Sequence, residues 1–256
     1  MSGKNMTSKR ELDTSCICVI MIIQANKELL VTVLERENAF KKVIKMQSGD
    51  MPKSSALDNI KTEVITMRKN LGVQPALFPM PVTIIAAYGA DGNICAMNAA
   101  WAQICDMDKI ALFIDADHKT TKNIMETKAF TVSIADVPNM ETADFFGIAT
   151  GNKMPDKFEK SGCHAVKSEF VNAPIITEYP VTLECELLEE INTENMHAIV
   201  GKIVNVSAEE SVVGDKDKIL PEKVNALIFD QYRSGYFAVG EKVGQAWNAG
   251  KGLMKK

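Results

Sequence analysis

Between positions 115 and 123 the chain reads Asp115-Ala116-Asp117-His118-Lys119-Thr120-Thr121-Lys122-Asn123. It follows the short apolar run Ile110–Ile114, which reads as a buried strand. It precedes a stretch with helical spacing, Thr120–Thr127, in which Ile124 and Met125 turn inward. The first turn of a helix leaves backbone N–H groups without intrahelical acceptors and carries a partial positive charge. Two hydroxyls, an imidazole and an ammonium at that place make a phosphate cradle. The alternative is that Thr120 caps the helix and the charges are solvated.

A second segment of interest is Asn98-Ala99-Ala100-Trp101. Small residues at the end of a strand let the backbone approach a flat ligand closely. The competing interpretation is a tight junction in which Trp101 fills the core. No hydrolytic, P-loop or G-x-G-x-x-G signature occurs. His164 and His197 stand apart from other chemically active side chains and read as solvated or internally satisfied. The six cysteines read as reduced thiols, and Cys16-x-Cys18 lacks the spacing of a zinc or redox pair.

The elements that must position these segments are mostly strands. Val82–Tyr88 is β-branched and apolar. Asp91-Gly92 is a hairpin signal, and Ile94–Trp101 returns as the second strand. Phe130–Ala135 is another strand, with Thr131 and Ser133 on one face. Asn139–Ala149 reads as a helix capped by Asn139, and Pro155–Lys160 as a shorter one stopped at Ser161-Gly162. Val181–Ile191 and His197–Val206 are long strands joined by a polar turn. In the first, Leu183, Cys185 and Leu187 alternate with Thr182, Glu184 and Glu186, which predicts one dry and one wet face. The expected class is mainly β (α+β), a barrel with helical insertions.

Charge divides the chain. Residues 1–66 hold ten basic and eight acidic side chains, whereas residues 67–256 hold nineteen and twenty-five. An overall charge of −4 argues against a general nucleic-acid binder. The run Cys16–Ile23 is too short to span a membrane, and Gln24-Ala25-Asn26-Lys27 after it is a poor cleavage site, so a cytoplasmic location is expected. Residues 27–47 have amphipathic helical spacing, and residues 47–57 read as a linker.

From about Met67 onward the chain resembles the flavoredoxin and flavin reductase family, with its FMN-binding split-barrel fold. The resemblance rests on Pro79-Met80-Pro81-Val82, Asp91-Gly92-Asn93, Asn98-Ala99-Ala100-Trp101, and His118-Lys119-Thr120-Thr121-Lys122-Asn123-Ile124. It continues through Ala129–Ser133, Ala143–Ile148, Asp156-Lys157-Phe158, Asn172-Ala173-Pro174, Leu183-Glu184-Cys185, Val200–Val206 and Val239–Gly244. Each motif is weak alone; their order is specific.

The resemblance implies a six-stranded Greek-key split barrel over residues 67–256 and a homodimer with FMN near its interface. It implies that Asn98, Ala99 and Ala100, in the segment ending at Trp101, line the isoalloxazine. It places His118, Lys119, Thr120 and Thr121, in the segment ending at Asn123, around the phosphate. Ser133 would lie close to the flavin, and Phe146 and Lys157 would reach the site from the helical insertion. Many members carry an arginine soon after the strand that ends here at Ile114. This chain has Asp115 and Asp117, which suit a phosphate only if they point away or balance Lys119 and Lys122.

The activity so implied is hydride transfer from NADH or NADPH to flavin, with the hard chemistry carried by the cofactor. Two other roles fit the same residues. One is a flavoredoxin-like electron carrier with tightly bound FMN, no nicotinamide site and a redox-partner protein. The other is a non-catalytic FMN-binding module that engages a partner through residues 1–66. Those residues have no counterpart in the family, and Met67 is a candidate for the real start of the protein.

Overall fold

The computed structural model describes residues 68–255, and the expectations for residues 1–67 lie outside them. The compact unit they form begins at Gln74. Its elements run β1 (Met80–Pro81), β2 (Thr83–Tyr88), β3 (Ile94–Ala99), β4 (Ala102–Asp106), β5 (Lys109–Leu112), α1 (Lys119–Thr127) and β6 (Ala129–Ile134). Next come α2 (Met140–Ile148), α3 (Lys157–Ser161), β7 (Ala165–Lys167), β8 (Pro174–Ile176), β9 (Val181–Thr193) and β10 (Met196–Ala208). The chain closes with β11 (Val213–Gly214), β12 (Lys218–Ile219), α4 (Pro221–Val224), β13 (Leu227–Asp230) and β14 (Gly235–Ala238).

The main sheet is antiparallel, in the order β3-β2-β6-β9-β10-β5-β4. Its two end strands, β3 and β4, are consecutive in the chain and separated only by Ala100 and Trp101. They form one strand bent at that point, so six strands curl into a barrel whose sheet edges meet at the bend. The β4 half of this strand, Ala102–Asp106, was not expected from the sequence. The β2–β3 hairpin turns where Asp91-Gly92 predicts. Gly92 adopts a φ of +77°, which side chains disfavour, and Asp91 Oδ1 accepts the Asn93 N–H at 3.1 Å.

The residues of β2 are almost all buried because both faces of that strand are covered. Ile84 and Ala86 pack under α2 and α3 with Ala143, Phe146 and Phe158. Ile85 and Ala87 face the barrel interior with Leu112, Phe130, Val132, Cys185 and Ile199, where Ile124 of α1 joins them. Burial of each large side chain there contributes roughly 1.5–3 kcal/mol. Helix α1 is therefore held by the same core that closes the barrel.

Two local expectations are corrected. Asn139 stands at the N-cap position of α2 but makes no capping bond; its amide donates to Asp136 Oδ1 at 2.8 Å and to the Glu178 carbonyl at 2.9 Å. The wet face of β9 is not wet at its start, since Thr182 and Glu184 are both buried. The Glu184 carboxylate accepts from Ser168 Oγ and, at 2.7 Å, from Asn205 Nδ2, which offsets the cost of burying it. His197 is satisfied between the Ile114 carbonyl and Glu190, and exposed His164 pairs with Glu178. Cys95, Cys105, Cys163 and Cys185 are free thiols. Among the described residues no helix is long and apolar enough to cross a membrane, and no cluster suits a metal ion.

Candidate functional site

Helix α1 starts at Lys119 because His118 is extended, with φ −62° and ψ 138°. No side chain caps it, so Thr120 is not the capping residue. Instead the buried Thr120 hydroxyl lies 3.3 Å from Cys95 Sγ on β3, which ties the first turn to the sheet. Thr121 Oγ1 donates to the Asp115 carbonyl at 2.8 Å and fixes the preceding loop against the same turn. The turn after α2 comes in very close: a Cβ on Gly151 would stand 2.9 Å from Cys95 Sγ and 3.1 Å from Lys119 Cβ. Only glycine permits that approach.

These contacts enclose a cavity of about 190 Å³. Met97 and Asn98 of β3 form one wall, His118–Thr120 a second, and the segment from Phe146 to Gly151 with Lys157 the rest. Among the described residues no carboxylate lines it. Asp117 and Asp115 are exposed and face Lys122 and His118, each pair at 3.8 Å. His118 Nδ1 is buried and has no hydrogen-bond partner among the described residues. Lys157 is 2% exposed, and its ammonium donates to the carbonyls of Ala149 at 2.8 Å and Phe146 at 3.3 Å. Burial pushes this lysine below the ordinary range, since the charged form is the one that loses hydration.

Asn98 is held by its amide, which donates to the Ala143 carbonyl at 2.9 Å. Beside it, Tyr236 donates to Asp144 Oδ1 at 2.9 Å; burial and that carboxylate push the phenol up to about 12. The cavity thus joins a helix start, a strand and two lysines, an arrangement suited to a small anion carried on a larger ligand.

The other expected residues fall elsewhere. The Ala99 carbonyl accepts from Thr83 Oγ1 at 2.6 Å. Ala100 and Trp101 line a separate cavity of about 600 Å³, and Trp101 is half exposed rather than core filler. Thr121 and Asn123 are buried behind the site, and neither lines the cavity; Asn123 Oδ1 has no partner among the described residues. Ser133 is buried in the sheet, its hydroxyl 2.9 Å from that of Thr182, and does not reach the cavity. The Phe146 ring stacks on Phe158 in the core, with 6.3 Å between centroids; Phe146 holds Lys157 both through its backbone carbonyl and through its ring, whose centroid lies 5.9 Å from the ammonium. Sequence reasoning missed Cys95, Gly147 and Gly151. The two glycines flanking the end of α2 were the available signal.

The family model described as flavin reductase like domain matches residues 76–236. Flavoredoxin of Desulfovibrio vulgaris (Miyazaki F) is 33% identical with a TM-score of 0.68, over 72% of this chain and all of that one. An uncharacterized protein of Aquifex aeolicus (strain VF5) is 25% identical over 159 residues, 58% of this chain and 79% of its own length. A split barrel domain protein of Shewanella frigidimarina NCIMB 400 is 18% identical with a TM-score of 0.59, over 65% of this chain and 84% of that one. The last likeness is one of fold, and it agrees with the barrel described above.

Proposed function

The chain belongs to the flavin reductase like family, and we propose from this that it is an FMN-binding oxidoreductase that takes a hydride from NADH or NADPH. The observation that carries the proposal is the cavity at the start of α1. Among the described residues, a buried ammonium without a carboxylate partner, a second lysine and a buried imidazole nitrogen lacking a partner belong to side chains that line it. That donor set fits the phosphate of FMN. It stands out further in a domain whose overall balance is acidic.

When bound, FMN supplies the hydride-accepting ring. The protein's own residues have simpler tasks. His118, Lys119, Thr120 and the α1 backbone bind the phosphate, and Lys157 adds a charge from the opposite wall. Asn98 is oriented by Ala143 and continues through Ala99 and Ala100 as a narrow backbone track for the ring. Thr121 and Asn123 support the helix start from behind, and Ser133 supports the sheet. Hydride transfer needs stacking and distance rather than a side-chain base, which agrees with the absence of an acid–base pair at the cavity. A homodimer in the cytoplasm belongs to the same proposal, and half-exposed Val204 and Val206 on β10 offer apolar surface for a second copy.

Anaerobic mixing of the FMN-loaded protein with NADH and with NADPH tests the donor. Rapid bleaching of the visible flavin spectrum by either is expected. A second role is favoured by the 33% identity to a flavoredoxin along its whole length. In it the protein is an electron carrier fed by another protein. Bleaching by a chemical reductant but by neither nicotinamide would select that role.

A further inference from the structure

After β14, every residue from 239 to 254 is exposed. This arm is tied to the barrel at its start, where the Val239 N–H donates to the Ala226 carbonyl at 3.4 Å. Its other hydrogen bonds among the described residues run within residues 242–253. Val243 and Trp247 are 102% and 95% exposed, and Leu253 and Met254 are exposed as well. Apolar surface gathered in this way on one short stretch marks an interaction site. The arm is also basic, since residues 239–256 hold four lysines and one glutamate.

A groove of complementary chemistry, about 480 Å³, lies where β10 meets the β11–β12 hairpin. Val206, Ala208, Val213 and Ile219 make its lining apolar, and Glu210 and Asp217 are its charged side chains. Neither carboxylate forms an ion pair among the described residues. Lys216 and Lys218, on either side of Asp217, do not line the groove. The hairpin is anchored: Val212 packs with Val181 and Val224, and the Leu220 N–H donates to the Val212 carbonyl at 2.8 Å. Val206 and Ile219 are nevertheless 47% and 38% exposed, so the apolar lining is uncovered.

We propose that the arm of one copy docks in this groove on a second copy. Trp247 enters the apolar lining, and lysines of the arm face Glu210 and Asp217. A two-fold pair exchanges two arms and covers both grooves. The occupant is a second copy because arm and groove match in apolar character and are opposite in charge within one sequence. Within its own copy the arm leaves Trp247 almost wholly exposed. Val206 of the groove also continues the apolar surface of Val204 on β10. Burial of each indole removes roughly 150–250 Å² from water. The inference rests on the homodimer of the preceding reading and not on FMN.

The test is sedimentation equilibrium of the full chain without FMN. A dimer is expected for the parent. Trp247→Ala is expected to raise the dimer dissociation constant at least about tenfold. A groove variant, Glu210→Lys with Asp217→Lys, and an arm variant, Lys242→Glu with Lys251→Glu, are expected to do the same. Mixed together, these two charge variants are expected to form a heterodimer near parental affinity, since one native and one doubly reversed arm–groove pair then meet. Asp217 has a φ of +55°, so Trp247→Ala and the arm variant decide should the groove variant fail to fold. A parent dimer whose dissociation constant is unchanged in any of the three overturns the arm exchange and leaves the homodimer standing. Charge variants that weaken the dimer but do not recover on mixing also overturn it, because each arm would then act on its own groove. A parent that stays monomeric overturns the homodimer and the exchange together, and leaves the FMN assignment to its own titration.

Discussion

The ammonium of Lys157 donates to the carbonyl of Ala149 at 2.8 Å and so closes the C-terminal end of α2. It is a buried charge stabilised by helix carbonyls and lacking a carboxylate partner among the described residues. A phosphate in the adjoining cavity would complete its surroundings. Lys157→Met is therefore expected to weaken FMN by about 10- to 100-fold, the worth of one charge-assisted bond. Riboflavin, which has no phosphate, should bind the variant and the parent alike. Fluorescence titrations with both flavins check this, and an equal loss for the two would assign Lys157 a purely structural role.

Lys119 and Thr120 sit in the first turn of α1, on the opposite wall. The double variant Lys119→Ala, Thr120→Ala removes a charge and a hydroxyl and is expected to lower FMN affinity by roughly 1.5–3 kcal/mol for each phosphate bond lost. Thr120 also contacts Cys95, so thermal melting is measured beside the titration to separate a loss of fold from a loss of ligand. An intact double variant with unchanged FMN affinity would place the phosphate elsewhere.

Gly201 lies at a register shift between β9 and β10, against the barrel interior. A Cβ there would stand 2.3 Å from Phe130 Cζ and 3.3 Å from Cys185 Cβ. Phe130 is fully buried and has little room to yield. Gly201→Ala is expected to cost about 1–3 kcal/mol through overpacking. Urea denaturation measures it, and a midpoint equal to that of the parent would mean that the barrel relaxes freely.

His197 links β10 to Ile114, at the strand end that precedes the 115–118 loop. Burial alone would push its pKa down, but Glu190 and the Ile114 carbonyl outweigh it and hold the imidazolium above the ordinary value. A group raised in the folded state contributes stability fully below its unfolded pKa, about 6.5, and loses that contribution as pH rises through the folded value. Denaturation midpoints of parent and His197→Gln are expected to differ most in mildly acidic buffer and to converge in mildly alkaline buffer. A constant gap across that range would remove the ionic part of the contact.

What could be read in the chain depended on how locally it was encoded. Asp91-Gly92 marks its hairpin because the turn itself demands a positive φ. The start of α1 is legible because a polar loop meets a helical apolar pattern within a few residues. Glu184 was misread because alternation along a strand assumes one open face; here Ser168 and Asn205 arrive from distant positions and cover it. Asn139 was read as a cap because its place is right, but its amide is taken by Asp136 and Glu178. Trp101 reads as core by residue type, yet the bend between β3 and β4 turns it outward. Ser133 lies on β6, separated from β3 by β2, and its hydroxyl is committed to Thr182, a contact across 49 positions. The cationic cavity needed Gly151 to approach Cys95; the glycines near the end of α2 mark a close approach, but nothing in either segment names its partner.

If the start of α1 and Lys157 together hold the phosphate of FMN, as proposed, the protein takes up FMN. The most direct measurement is the visible absorption spectrum of the purified full chain, titrated with FMN and then dialysed. A saturable, perturbed flavin spectrum at one FMN per chain is expected. A colourless protein that takes up no added FMN would contradict it.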